Sequence, residues 1–201
     1  MMNEQLTGKL KKGLMIVVSA PAGTGKTTLV HKLIAEFPKS VTQSISCTTR
    51  KPRDGEIDGK DYVFLTKEAF EKRIQRGEFL EYATVFGDHY GTLKETVEKQ
   101  REAGKHVVLV IDTQGALKLK NEIDGVFIFV APPNFDVLRE RLENRQTETK
   151  EVREKRLEWA KFEMEQAKQY DYQVVNDDLE TAYEELKNIV IAEEQHHRKS
   201  D

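Results

Sequence analysis

The first chemistry in the chain sits in eight consecutive residues, Ala20-Pro21-Ala22-Gly23-Thr24-Gly25-Lys26-Thr27. Gly23 and Gly25 open backbone angles that side-chain-bearing residues avoid, so successive N–H groups can converge on phosphate oxygens. Lys26 is placed to reach β- and γ-phosphates, and the Thr27 hydroxyl suits Mg²⁺. The run matches G-x-x-x-x-G-K-[ST] except for Ala20, which stands where the pattern has its first Gly. A bare Gly-Lys-Thr is common by chance. The apolar run 14–18 before it and the helical pattern 26–37 after it make the phosphate-loop reading, because a helix N-terminus favours an anion. A second group is cationic: Arg50, Lys51 and Arg53 crowd into four positions around Pro52, which stiffens the loop. Two fixed guanidinium forks suit a phosphate monoester, although a solvated charge cluster has the same composition. Asp112 ends an apolar strand. There a carboxylate can orient Mg²⁺ or its waters, reach a substrate at the sheet edge, or simply cap the next helix.

These groups need a scaffold, and the apolar pattern describes one. Uninterrupted runs at 14–18, 107–111 and 126–130 read as strands buried on both faces. A weaker strand follows at 41–45 and a short one at 172–175. Helical patterns separate them at 26–37, 93–103, 113–121, from Asn134 to about 144, at 151–169 and at 179–192. That alternation predicts an α/β fold with a mostly parallel sheet. Between 46 and 92 the texture changes to short alternating strands (62–65, 79–85) around a helix capped by Thr66 and stopped at Gly77, which reads as a small α+β insertion. In the 151–169 helix, Val152, Leu157, Trp159, Phe162 and Met164 are the candidates for burial. The polar stretch 145–150 lacks an apolar anchor and reads as mobile, and the tail from 193 should fray.

Composition narrows the classes. The 201 residues include 9 Phe, 6 Tyr and 1 Trp, enough for a core, which argues against disorder throughout. No apolar run approaches the ~20 residues of a membrane span, and the N-terminus lacks the apolar stretch of a secretory signal. A single cysteine, Cys47, rules out an internal disulfide and fits a reducing compartment. A net charge of −3 argues against wholesale binding to a nucleic-acid backbone, so any anion site must be local. The five histidines show no metal-ligand spacing.

Seven motifs in order, SAPAGTGKTTL, SCTTRKPRDGE, GKDYVF, FLEYATVFGDHYGT, IDTQG, RLENRQTET and VVNDD, resemble those of guanylate kinases. The similarity runs from 14 to about 191. It implies a P-loop kinase fold: a central parallel five-stranded sheet flanked by helices, with the core at about 12–45, 93–142 and 157–195. It further implies an inserted nucleoside-monophosphate-binding subdomain at about 46–92 and a mobile lid at about 143–156. The implied reaction is transfer of the γ-phosphate of ATP to GMP, with Mg²⁺, in the cytoplasm. ATP and GMP would be the partners, without nucleic acid or membrane; monomer and homo-oligomer both stay open. By resemblance, Ala20 to Thr28 hold the ATP phosphates and Asn176 and Asp177 lie near adenine. Arg50, Arg53, Tyr62 and Tyr90 bind the GMP phosphate. Ser46, Glu81 and Thr92 read the guanine, and Asp112 lies close to both substrates. Arg145 and Arg156 close over the phosphates, joining Lys26 as catalytic cations.

The chemistry of the base agrees. Guanine presents N1–H and its 2-amino group side by side, and one ionised carboxylate, Glu81, accepts both. Adenine has a lone pair at N1 and no 2-amino group, so AMP would leave Glu81 desolvated and unpaired, a mismatch worth roughly 10⁴-fold. Taken alone, Glu81 also fits an exposed strand residue, and Tyr62 and Tyr90 fit ordinary core aromatics. Besides Ala20, two departures stand out: Gln146 where the family usually has Gly after the lid arginine, and Thr92 where Ser is frequent. No protein nucleophile is needed, so Cys47 reads as a bystander. Two other readings share the scaffold: a ribose-bisphosphate kinase, which needs no guanine reader, and a non-catalytic phosphopeptide-binding module, which typically lacks an intact phosphate loop.

Overall fold

Alternate residues of the first strand, β1 (Met15–Ser19), feed two different cores, which explains why it is apolar up to its last residue, Ser19. Ile16 and Val18 pack with Leu29, Val30 and Leu33 of α1 (Lys26–Glu36). Met15 and Val17 face the other way, onto Val97, Leu119, Phe127 and Phe129. A strand between two apolar layers must be apolar at every position, and each such side chain stabilises by about 1.5–3 kcal/mol on burial.

The computed structural model describes residues 6, 10–143 and 150–199, with the side chains of 150–153 left aside. After α1 come β2 (Val41–Gln43), β3 (Cys47–Thr48), β4 (Val63–Phe64), α2 (Lys67–Gln75), β5 (Phe79–Val85) and β6 (Asp88–Leu93). Then follow α3 (Lys94–Glu102), β7 (His106–Val110), α4 (Thr113–Lys120), β8 (Val126–Ala131) and α5 (Phe135–Glu143). The chain finishes with α6 (Lys150–Gln166), a 3-10 turn at Ala167–Gln169, β9 (Tyr172–Val175) and α7 (Leu179–Arg198). Five strands form an all-parallel sheet in the order β2-β7-β1-β8-β9. This is the α/β fold with a central five-stranded parallel sheet that the sequence predicts. No helix among the described residues is long and apolar enough to cross a membrane.

A second sheet, β4-β3-β6-β5, lies between Cys47 and Leu93 in the chain and has its own small core. Phe70 of α2 stacks on Phe79 of β5 with ring centroids 4.4 Å apart, beside buried Cys47. Gly91 on β6 permits this: a Cβ there would sit 2.9 Å from Phe79 and 3.0 Å from Phe70. Strand β5 then packs against α4 of the main sheet.

Three expectations need correction. The strand predicted at 41–45 ends at Gln43, because the chain leaves the sheet to enter the insertion; Ser44 keeps one bond to the Val108 carbonyl, at 3.0 Å. Phe162, a candidate for burial, is 39% exposed and lies against Trp159, whereas its neighbour Glu163 is buried. The inward side of α6 carries Ala160, packed with Leu138 and Leu142 of α5, and Glu163, which lines a polar cleft, and Ala167 in the turn that follows is buried as well. Leu157 and Met164 are partly buried, and the Val152 side chain lies outside the described residues. Thirdly, the tail does not fray from 193. Helix α7 continues to Arg198 because Glu194 is buried against His106. The His106 Nδ1 accepts the Leu14 N–H at 3.0 Å, which puts the ring proton on Nε2, and that proton is donated to Glu194 Oε1 at 3.2 Å.

Candidate active site

The phosphate loop leaves β1 at the carboxyl edge of the sheet, the usual ligand edge of parallel α/β folds. Gly23 and Gly25 both have left-handed φ, +89° and +86°, and Ala20 needs no such angle. Gly25 is the N-cap of α1, and no side chain caps that helix. Its first N–H groups are therefore presented at the loop, where an anion satisfies them best. The loop is braced from behind. The Thr24 hydroxyl donates to the Pro21 carbonyl at 2.9 Å. Asn176 donates its amide to the Thr24 carbonyl at 2.6 Å, and the Asn176 carbonyl accepts from Arg141 Nη1 at 3.1 Å. A Cβ at Gly25 would strike that Asn176 amide at 2.5 Å. Lys26 curls back over the loop, with Nζ 3.3 Å from the Ala20 carbonyl.

The loop forms one wall of a cleft of about 330 Å³, and the insertion forms the facing wall. Arg50, Arg53, Tyr62 and Tyr90 line that wall. Glu56 organises the two arginines. Its Oε1 and Oε2 take Arg50 Nη2 at 2.7 and 3.0 Å, and Oε2 also takes the Arg53 backbone N–H at 2.7 Å. The hydrogen bond from Arg50 holds the Glu56 carboxyl below its ordinary range. The Arg50 guanidinium lies over the Tyr62 ring at 5.4 Å, and Tyr62 meets Tyr90 edge to face at 6.0 Å.

Deep in the cleft lie three carboxylates. Glu81 of β5 is 8% exposed and accepts the hydroxyl proton of buried Thr92 at 2.7 Å. Burial pushes its carboxyl up to about 7, against the Thr92 bond, and the charge of Asp112 raises it further. Asp112 lines the cleft and caps α4 through the Gln114 N–H at 2.8 Å, so the capping use read from its position holds while its carboxylate still borders the cleft. Burial raises it too, opposed by its backbone bonds. Glu163 of α6 accepts the Thr113 hydroxyl at 3.1 Å, and burial lifts it to about 7, with Asp112 adding and Lys26 opposing. The Thr27 hydroxyl and the Asp112 carboxylate share the cleft, a hard-oxygen set of the kind Mg²⁺ takes.

A guanylate kinase family model matches residues 12–193. The chain belongs to the guanylate kinase family. The guanylate kinase of Protochlamydia amoebophila is 55% identical over 97% of this chain and 98% of its own. That of Chlamydia muridarum is 47% identical over 92% and 90%. The crystal structure of guanylate kinase from Anaplasma phagocytophilum superposes with a TM-score of 0.76 at 35% identity, covering 91% of this chain and 87% of that one.

Against the guanylate kinase motifs, the cleft gathers Ala20, Ala22, Gly23, Gly25 and Lys26 to Thr28 from the loop, and Ser46 and Asp112 beside them. Arg156 of α6 lines it as well. Pro21, Thr24, Thr92 and Asn176 stand behind this lining as braces, and Asp177 is exposed next to Asn176. Arg145 and Gln146 lie outside the described residues. Sequence reasoning missed Phe86, Trp159 and Glu163, all of which line the cleft. The signal for Glu163 was its place between Ala160 and Ala167 on one helical face, which an apolar-only search passes over. Cys47 is buried with its thiol pushed up to about 11, so it is no nucleophile at neutral pH.

Proposed function

We infer that the protein transfers the γ-phosphate of ATP to GMP, giving ADP and GDP, and so returns GMP to the purine nucleotide pool. The observation that carries this is the pairing of an anion cradle at Gly23–Lys26 with a buried carboxylate, Glu81, and an arginine loop in one cleft. ATP phosphates fit the loop wall. The GMP phosphate fits Arg50, Arg53, Tyr62 and Tyr90, and its base fits Glu81, with Ser46 lining the cleft beside it and Thr92 behind. Asn176 sets the loop's shape, and by the family resemblance Asp177 beside it would lie near the adenine.

Phosphoryl transfer needs positioning and charge neutralisation more than covalent chemistry. A GMP phosphate oxygen is already largely ionised near pH 7 and attacks the γ-phosphorus in line, without a protein base. Lys26, Arg50, Arg145 and Arg156 offset the charge spreading over the equatorial oxygens. Thr27 and Asp112 would hold Mg²⁺, which supplies further neutralisation of the ATP phosphates when bound. Insertion and helix α6 exclude water, which would otherwise take the phosphoryl group.

The test is ADP release measured across GMP, AMP, UMP and CMP. GMP should be preferred by at least ~10³-fold in kcat/KM, and Glu81→Ala should remove most of that preference. A preference for AMP, or the same preference in the variant, overturns the reading.

A further inference from the structure

Strands β5 and β6 are joined by a two-residue turn, Phe86-Gly87, with Val85 paired to Asp88. Both turn residues have left-handed φ, 51° and 90°. That is the turn in which Asn-Gly is favoured and a bulky residue is strained. Phe86 is the one non-glycine residue with positive φ among the described residues. The residue is also 55% exposed. The position therefore departs twice from what stability favours, in backbone and in surface.

Its surroundings supply a reason. The ring lines the cleft, and the Arg156 guanidinium lies over it, 5.7 Å from the centroid. Arg156 comes from the other side, on α6, which is seated through Leu157 and Ala160 against Leu138 and Leu142 of α5, next to Ala22 of the phosphate loop. The contact spans from the insertion's hairpin tip to that helix, in the cleft that Lys26 and Arg50 also line. A ring face grips a guanidinium without using its N–H donors and without cancelling its charge, unlike a carboxylate partner. A cation meant for a transferring phosphate is better held that way, because the ordering of a long side chain is completed before the transition state.

We propose that Phe86 is a positioning residue for phosphoryl transfer, whose π face holds Arg156 over the cleft. This rests on the reading of Arg156 as a cation acting on the phosphates. The experiment measures kcat, both KM values and Tm for Phe86→Asn, Phe86→Leu, Phe86→Trp, Arg156→Ala and the double variant Phe86→Asn/Arg156→Ala. Phe86→Asn relaxes the turn, so Tm should hold or rise while kcat falls about 3- to 30-fold with each KM within about threefold. Phe86→Leu, which keeps an apolar side chain but no π face, should lose as much. Phe86→Trp should retain the parent kcat. The double variant should be no slower than Arg156→Ala.

Parent-level kcat in both the Asn and Leu variants overturns the proposal. So does a loss confined to the KM for GMP, which would mean that the ring touches nucleotide, or an additive loss in the double variant. Should Phe86→Asn fail to fold, Phe86→Leu decides alone. If Arg156→Ala itself keeps the parent kcat, the assignment of Arg156 falls. If Arg156→Ala is slow and the Phe86 variants are not, the positioning role alone falls.

Discussion

Glu81 shows how one buried side chain ties recognition to pH. Its carboxyl is lifted from 4.5 to about 7, chiefly by desolvation, yet guanine is read by the ionised form. Raising the pH from 6 to 8 should therefore lower the KM for GMP by roughly three- to tenfold. The GMP phosphate and Glu163 titrate in the same range, so the comparison is with Glu81→Gln, in which their contributions persist and that of Glu81 is gone. A variant profile parallel to the parent's would reject Glu81 as the reader. The stability sign follows from the same shift. Between 4.5 and about 7 the folded state binds more protons than the unfolded one, so the parent loses stability as pH rises through that window. The Tm of Glu81→Gln relative to the parent should climb across it and level off above.

Helix α4 follows β7 of the main sheet and strand β5 belongs to the smaller sheet, and their junction is built around Gly115. A Cβ at that position would lie 2.3 Å from Glu81 Oε2. Gly115→Ala has two opposed effects. Ala favours a helix over Gly by about 1 kcal/mol, so Tm should change little. The methyl nevertheless displaces the Glu81 carboxylate, so the KM for GMP should rise tenfold or more. Unaltered KM with unaltered Tm would show that the carboxylate has slack the geometry does not suggest. The glycine in IDTQG is conspicuous in the sequence, but its reason was not legible there, because Glu81 lies 34 positions earlier. Thr66 capping α2 through the Ala69 N–H, by contrast, was legible, since both partners are local.

Across the molecule, the two ends of the main sheet are put to different uses. Its carboxyl edge carries the cleft, while the opposite end is closed by His106 and Glu194, exposed 0% and 1% at their side chains. Burial lowers the His106 pKa, so it stays neutral and donates through Nε2. Glu194→Ala leaves that donor unsatisfied, at a cost of about 1–3 kcal/mol. For a chain of this size the Tm should drop by about 3–10 °C, with kcat/KM for both nucleotides unchanged because the pair lies away from the cleft. An unaltered Tm would mean that water replaces the carboxylate at no cost. The sign of the pH effect is the reverse of that at Glu81. The unfolded state takes up the His106 proton first, so stability falls as pH drops below about 6.5.

Local order was readable from the chain by itself. Strand and helix periodicity, the glycines of the phosphate loop, the arginine pair around Pro52 and the succession of family motifs all lie within windows of a few residues. Short-range sterics and hydrogen bonding determine them. Tertiary structure alone decided which face of α6 turns inward, so that Glu163 is buried and Phe162 is not. It also decided that the last helix runs on to cover His106, and that Phe86 reaches Arg156. Those outcomes depend on groups 50 to 90 positions apart meeting in a low-dielectric interior. There an unpaired polar group costs more than local propensity returns.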